Sequence, residues 1–211
     1  MNTKFGKFIS PLDIVILVTK ECEFISQHNE VVKDFLANNA ISVVVSETEL
    51  LPTLKIIGDK VKLVVTEAEI FDKISKVVPK NILLTSFSLL LANYKGELKR
   101  LVEGINFIDE LEPEMRVLIC ECSEDDEISK VKIPKLLQGE VGKLQFERCS
   151  CSTPLFDNDL KGIDFIVYGG EGSISENARN LNIPIVSYAV LFAFFSGQLE
   201  RALELFELEK I

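Results

Sequence analysis

DIVILV, residues 13–18, carries five consecutive apolar residues behind its aspartate. A strand with one wet face alternates apolar and polar side chains, whereas a strand covered on both faces is apolar throughout. Residues 14–18 therefore read as a strand of a parallel sheet covered on both faces. The same signal recurs in AISVVVSE (40–47), KLVVTE (62–67) and NILLTSF (81–87). Between these runs lie amphipathic segments of helical period, NEVVKDFLANN (29–39), TELLPTLKII (48–57) and AEIFDKISKVV (68–78). Strands alternating with helices imply right-handed βαβ units. The fourth strand leads into SLLLANYKGELKRLVEGINFIDEL (88–111), whose pattern predicts one long helix with Thr85 or Ser86 at its N-cap.

LEPEM (111–115) is a turn-like break, and after it the alternation resumes. RVLICEC (116–122), KLQFERC (143–149), DFIVYGG (164–170) and IPIVSY (183–188) read as strands. IPKLLQ (133–138), opened by Pro134, and SISENARNLN (173–182) read as helices, and AVLFAFFSGQLERALELFELE (189–209) as a closing helix. The expected architecture is α/β, two tandem small parallel-sheet (Rossmann-like) domains, with a boundary between residues 1–112 and 113–211.

The bulk composition narrows the function classes. Acidic residues outnumber basic ones by 33 to 23, a net charge of −10 over 211 residues. Such a surface repels phosphate, which argues against a general nucleic-acid or anionic-membrane binder. The opening segment lacks a secretory cleavage pattern, and the longest apolar stretch, 183–195, is too short to span a bilayer. A cytoplasmic protein is expected, in which cysteines serve as metal ligands or core residues rather than structural disulfides. There is no G-x-x-x-x-G-K-[ST] phosphate loop and no G-x-G-x-x-G turn. The single histidine, His28, opens a helical segment and reads as an exposed polar residue, so no residue is assigned a catalytic role. The acidic run ECSEDDE (121–127) lacks the spacing and glycine of a calcium loop and reads as a solvated loop.

Two C-x-C pairs remain, Cys120 with Cys122 and Cys149 with Cys151. Each follows a strand, as does the glycine-rich turn YGGEGS (168–173) with Gly169, Gly170 and Glu171. Ligands of open parallel sheets sit beyond the carboxyl ends of the strands. Residues i and i+2 share a strand face, and neighbouring strands lie roughly 4.8 Å apart, so four thiolates on one rim suit zinc or an iron–sulfur cluster. The same spacing also fits small apolar strand residues, because free cysteine is often buried.

Residues 84–121, LTSFSLLLANYKGELKRLVEGINFIDELEPEMRVLICE, resemble the middle of the HydF family, the GTPases that mature FeFe hydrogenases. VKIPKLLQ (131–138) and IPIVSYAVLFAFFSGQLERAL (183–203) are similar to its later elements, so the resemblance runs from about residue 11 onward. It implies a dimerisation-type domain followed by a cluster-binding-type domain, without the family's GTPase domain. It also implies cluster ligands from a C-x-H and an HCxxC element, and here the sequence departs. The first element falls on Cys122 or Ser123, with Glu124 or Asp125 at the histidine position. The second falls around Tyr168, Gly169, Gly170, Glu171 and Gly172, with Glu171 where the last cysteine belongs.

Two readings follow from that departure. Either the chain is a metal-free dimeric interaction or regulatory module, or the site has moved along the rim to Cys120, Cys122, Cys149 and Cys151, with Glu171 as an oxygen donor. The expected function is a non-catalytic scaffold or carrier, homodimeric, holding an iron–sulfur or other metal centre. The resemblance implies radical-SAM maturases, a hydrogenase apoenzyme or full-length HydF as partners. A weaker third reading has the YGGEGS turn hold a phosphorylated ligand at a helix N-terminus.

Overall fold

The computed structural model describes residues 13–19, 41–121, 128–150, 159–168 and 174–206. It divides into two compact units, Met1–Gly96 with Phe192–Ile211, and Glu97–Leu191. The first contains β1 (Ile14–Thr19), β2 (Ile41–Ser46), α1 (Glu47–Ile57), β3 (Val61–Thr66), α2 (Phe71–Val77), β4 (Leu83–Ser86) and α3 (Phe87–Tyr94). The second runs from α4 (Leu98–Glu103) through β5 (Arg116–Glu121), α5 (Ile133–Val141), β6 (Gln145–Ser150), β7 (Phe165–Tyr168), α6 (Ile174–Asn180) and β8 (Ile185–Ser187). Helix α7 (Tyr188–Phe195) leads back into the first unit, which α8 (Leu199–Leu203) completes.

Each unit holds a four-stranded, fully parallel sheet, in the order β2-β1-β3-β4 in the first and β6-β5-β7-β8 in the second. The expected α/β class with two small parallel sheets is what the chain adopts. The segments IVILV and VLIC behave as their composition dictates. Val15 to Val18 are each at most 1% exposed, and Val117 to Cys120 at most 4%. Removing each such side chain from water contributes about 1.5–3 kcal/mol, which is what holds these runs between their neighbours. In the second unit Arg116 anchors the start of β5. Its Nε donates to Glu147 on β6 at 2.7 Å, and its Nη1 donates to the carbonyls of Lys161 and Gly162 ahead of β7.

Two expected helices are corrected. The segment 88–111 is not one helix: α3 stops at Tyr94, α4 begins at Leu98, and a 3-10 stretch covers Gly104–Glu110. The closing segment breaks in the same way, with α7 ending at Phe195 and α8 beginning at Leu199. The cause is a left-handed glycine in each break, Gly96 at φ 74° and Gly197 at φ 67°, a backbone region that ends a right-handed helix. Apolar periodicity continues across both turns, so the pattern alone hides them. The expected boundary at 111–115 lies inside the second unit, between the 3-10 stretch and β5, because the chain passes from the first unit to the second at the Gly96 turn. The expected helix at 29–39 lies outside the described residues.

Candidate functional site

The carboxyl edge of the second sheet carries one row of residues set by strand register. Cys149 on β6 is the partner of Cys120 on β5, Cys120 is the partner of Tyr168 on β7, and Tyr168 is the partner of Ser187 on β8. Residues level with one another on parallel strands present their side chains to the same face. The two cysteines therefore stand side by side on neighbouring strands, roughly 4.8 Å apart along the hydrogen-bonding direction. Cys120 is 1% exposed, whereas Cys149, on the edge strand, is half-buried.

Tyrosines frame the row. The Tyr168 hydroxyl donates to Oε2 of Glu97, just ahead of α4, at 2.9 Å. The Tyr188 hydroxyl donates to the Cys120 carbonyl at 2.8 Å, closing the end of β5 with a buried hydrogen bond. Ser187 Oγ accepts the Val190 amide at 3.3 Å and caps α7. Neither tyrosine contact is legible locally, because the partners lie 71 and 68 residues apart.

Of the expected metal ligands, the fold brings Cys120 and Cys149 together, while Cys122 and Cys151 lie outside the described residues, as do Gly169, Gly170 and Glu171. Among the described residues no group of three or more His, Cys, Asp or Glu side chains converges. Two thiols are half of what a tetrahedral zinc site or a four-iron cluster takes. The described residues thus fit one edge of such a centre and do not complete it.

The first sheet has a polar carboxyl edge of its own. Thr66, wholly buried, is the partner of Ser86, and its Oγ1 has no hydrogen-bond partner. Ser86 Oγ accepts the Leu89 amide and caps α3, while Thr85 Oγ1 donates to the Ala202 carbonyl at 3.0 Å. At the sheet's side edge, β2 keeps an apolar sequence while exposing Ile41 (55%) and Val44 (45%). An open strand with exposed branched side chains is a template for pairing with another strand.

Comparison with known families separates the two halves of the chain in the same order. Residues 5–96 match the hydrogen maturase F dimerization domain, and residues 99–205 match the hydrogen maturase F tetramerization domain. The chain belongs to the hydrogen maturase F family. Both matched domains are named for self-association, and among the described residues no strand pairs with the outer side of β2. No curated protein matches this hydrogen maturase F chain.

Solved structures resemble it at low similarity. Shikimate dehydrogenase 1 from Peptoclostridium difficile is 11% identical over 94% of this chain and 93% of its own, with a TM-score of 0.38. A shikimate 5-dehydrogenase-like protein is 7% identical over 95% and 93%, with a TM-score of 0.43. A chorismate mutase/shikimate 5-dehydrogenase fusion protein from Clostridium acetobutylicum is 9% identical over 93% and 92%, with a TM-score of 0.40. At these values nothing about the site transfers. Among the described residues no helix is long and apolar enough to cross a membrane.

Proposed function

We propose that this hydrogen maturase F chain is a non-catalytic, self-associating scaffold for FeFe-hydrogenase maturation that holds an iron–sulfur or related metal centre on the rim of its second sheet. The register that sets Cys120 beside Cys149 carries the reading. Cys122 and Cys151, each two positions further in the sequence, supply the remaining thiolates in this reading, and Glu171 is a candidate oxygen donor. Bound there, the centre would supply redox or ligand-carrying chemistry; the chain's own part is to present soft donors beside a half-buried edge strand. Radical-SAM maturases, a hydrogenase apoenzyme and full-length HydF are the partners this reading names.

Anaerobic reconstitution with iron and sulfide tests it, read as bound iron per chain and visible absorption. Wild type takes up stoichiometric iron, and the Cys120→Ser/Cys149→Ser and Cys149→Ser/Cys151→Ser variants lose it. A second reading, a metal-free interaction module, is favoured by the near-complete burial of Cys120. Wild type that binds neither iron nor zinc while still self-associating decides for it.

A further inference from the structure

The carboxyl edge of the first sheet holds a hydroxyl that the fold leaves unsatisfied. Thr66 ends β3, is wholly buried, and its Oγ1 has no hydrogen-bond partner. A hydroxyl taken out of water and left unpaired costs the free energy of its lost hydration. Valine has the same shape without the oxygen, and β3 already uses it at Val61, Val64 and Val65. The oxygen at residue 66 therefore calls for a reason other than packing.

Strand register fixes what stands beside it. Thr66 is level with Val18 on β1 and with Ser86 on β4, so these side chains share one face of the sheet. Ser86 is 1% exposed, and its Oγ accepts the Leu89 amide at 3.3 Å to cap the eight-residue α3. That bond uses the oxygen as acceptor and leaves its hydrogen to donate. The leading amides of α3 have no carbonyl four residues back within the helix, and that end of its dipole is positive. The opposite face is occupied differently, since Thr85 Oγ1 donates to the Ala202 carbonyl of α8 at 3.0 Å. Glu67 follows in extended backbone and so alternates away from Thr66. Its carboxylate is not on the face of the hydroxyls.

The position is also the one where open parallel sheets take ligands. In the order β2-β1-β3-β4 the chain moves outward in opposite directions from β1 and from β3, so the order reverses between those two strands. Ligands sit outside the carboxyl ends of the strands at such a reversal. Thr66 closes β3 there, and Thr19, 1% exposed, closes β1 beside it. The second sheet supplies the comparison, because it runs in the same order with Tyr168 and Ser187 in the places of Thr66 and Ser86. Ser187 caps its helix at the same 3.3 Å. Beside it, the Tyr168 hydroxyl reaches an acceptor on Glu97, whereas the Thr66 hydroxyl is a ring shorter and has none.

We propose that Thr66 Oγ1, Ser86 Oγ and the leading amides of α3 form a binding site for the phosphate group of a small ligand. Every member of the set donates a hydrogen, which suits an oxyanion and not a cation. Phosphate oxygens accept from several such donors at once, and bonds made away from water are the stronger for it. The set holds no lysine or arginine, so phosphate alone should bind in roughly the millimolar range. The site lies within the first unit and rests neither on the cysteine row nor on the β2 edge.

The test is equilibrium dialysis of the full-length chain against radiolabelled inorganic phosphate, which also gives a closed rim time to open. Wild type should bind saturably, and Thr66→Ser, which keeps the hydroxyl, should match it within about twofold. Thr66→Val removes only the oxygen and should bind at least about tenfold more weakly. Wild type with no saturable uptake, or a Thr66→Val chain that binds as wild type does, overturns the proposal. If Thr66→Val does not fold, amide chemical shifts of wild type under phosphate titration decide instead. Shifts at residues 66 and 86–89 support the site, and shifts confined to other residues overturn it.

Discussion

At the scale of single residues, the second unit depends on one hydrogen atom in place of a methyl group. A Cβ on Gly104 would lie 2.1 Å from the carbonyl oxygen of Ile185, and backbone cannot swing aside as a side-chain tip can. Gly104→Ala should therefore destabilise the protein by about 2–3 kcal/mol. Urea denaturation measures this, and a midpoint unchanged from wild type would show that the approach is not tight. The glycine is visible in the sequence, but its reason is not, because Ile185 is brought to it only by folding. The cysteines divide the same way. Their presence at strand ends is legible, while their being level with one another depends on the register of two strands joined through α5.

At the scale of elements, composition located the described strands, and helices α1 and α6, within a residue or two. Val15 to Val18 are interior at every position, as a strand covered on both faces of its sheet requires. The two long helical patterns failed for a local reason: Gly96 and Gly197 each take a left-handed conformation between apolar stretches whose period runs on undisturbed. Helix α1 shows how a terminus is held. The Ser46 amide and hydroxyl both donate to Glu49 Oε2, at 2.9 and 2.7 Å. These bonds, the backbone one foremost, pull the Glu49 pKa below its ordinary value. A depressed carboxylate contributes stability that is present above its unfolded pKa and lost as pH falls through the folded one. The start of α1 should accordingly fray on the acid side of the usual carboxylate range. Amide exchange at residues 46–50 against pH checks this, and Glu49→Gln should abolish the dependence. Equal pH profiles for the two proteins would remove the capping account.

At the scale of the whole molecule, self-association is the property with the clearest surface. The β2 edge exposes Ile41 and Val44, and a lysine there would have to lose its hydration to let a second strand pair. Val44→Lys should weaken association by about tenfold or more with the fold intact, as measured by light scattering across a dilution series. An unchanged mass at every concentration would move the interface elsewhere. By itself the sequence determined the class of fold, the alternation of strand and helix, and the presence of Cys120 and Cys149 at strand ends. Those follow from side-chain volume and polarity acting over a few residues. Tertiary structure alone decided which strands are neighbours, that Cys120 meets Cys149, and that each unit is closed by the helix following the other's last strand. Those outcomes depend on contacts between segments tens of residues apart, where periodicity carries no information and only packing and backbone hydrogen bonding choose.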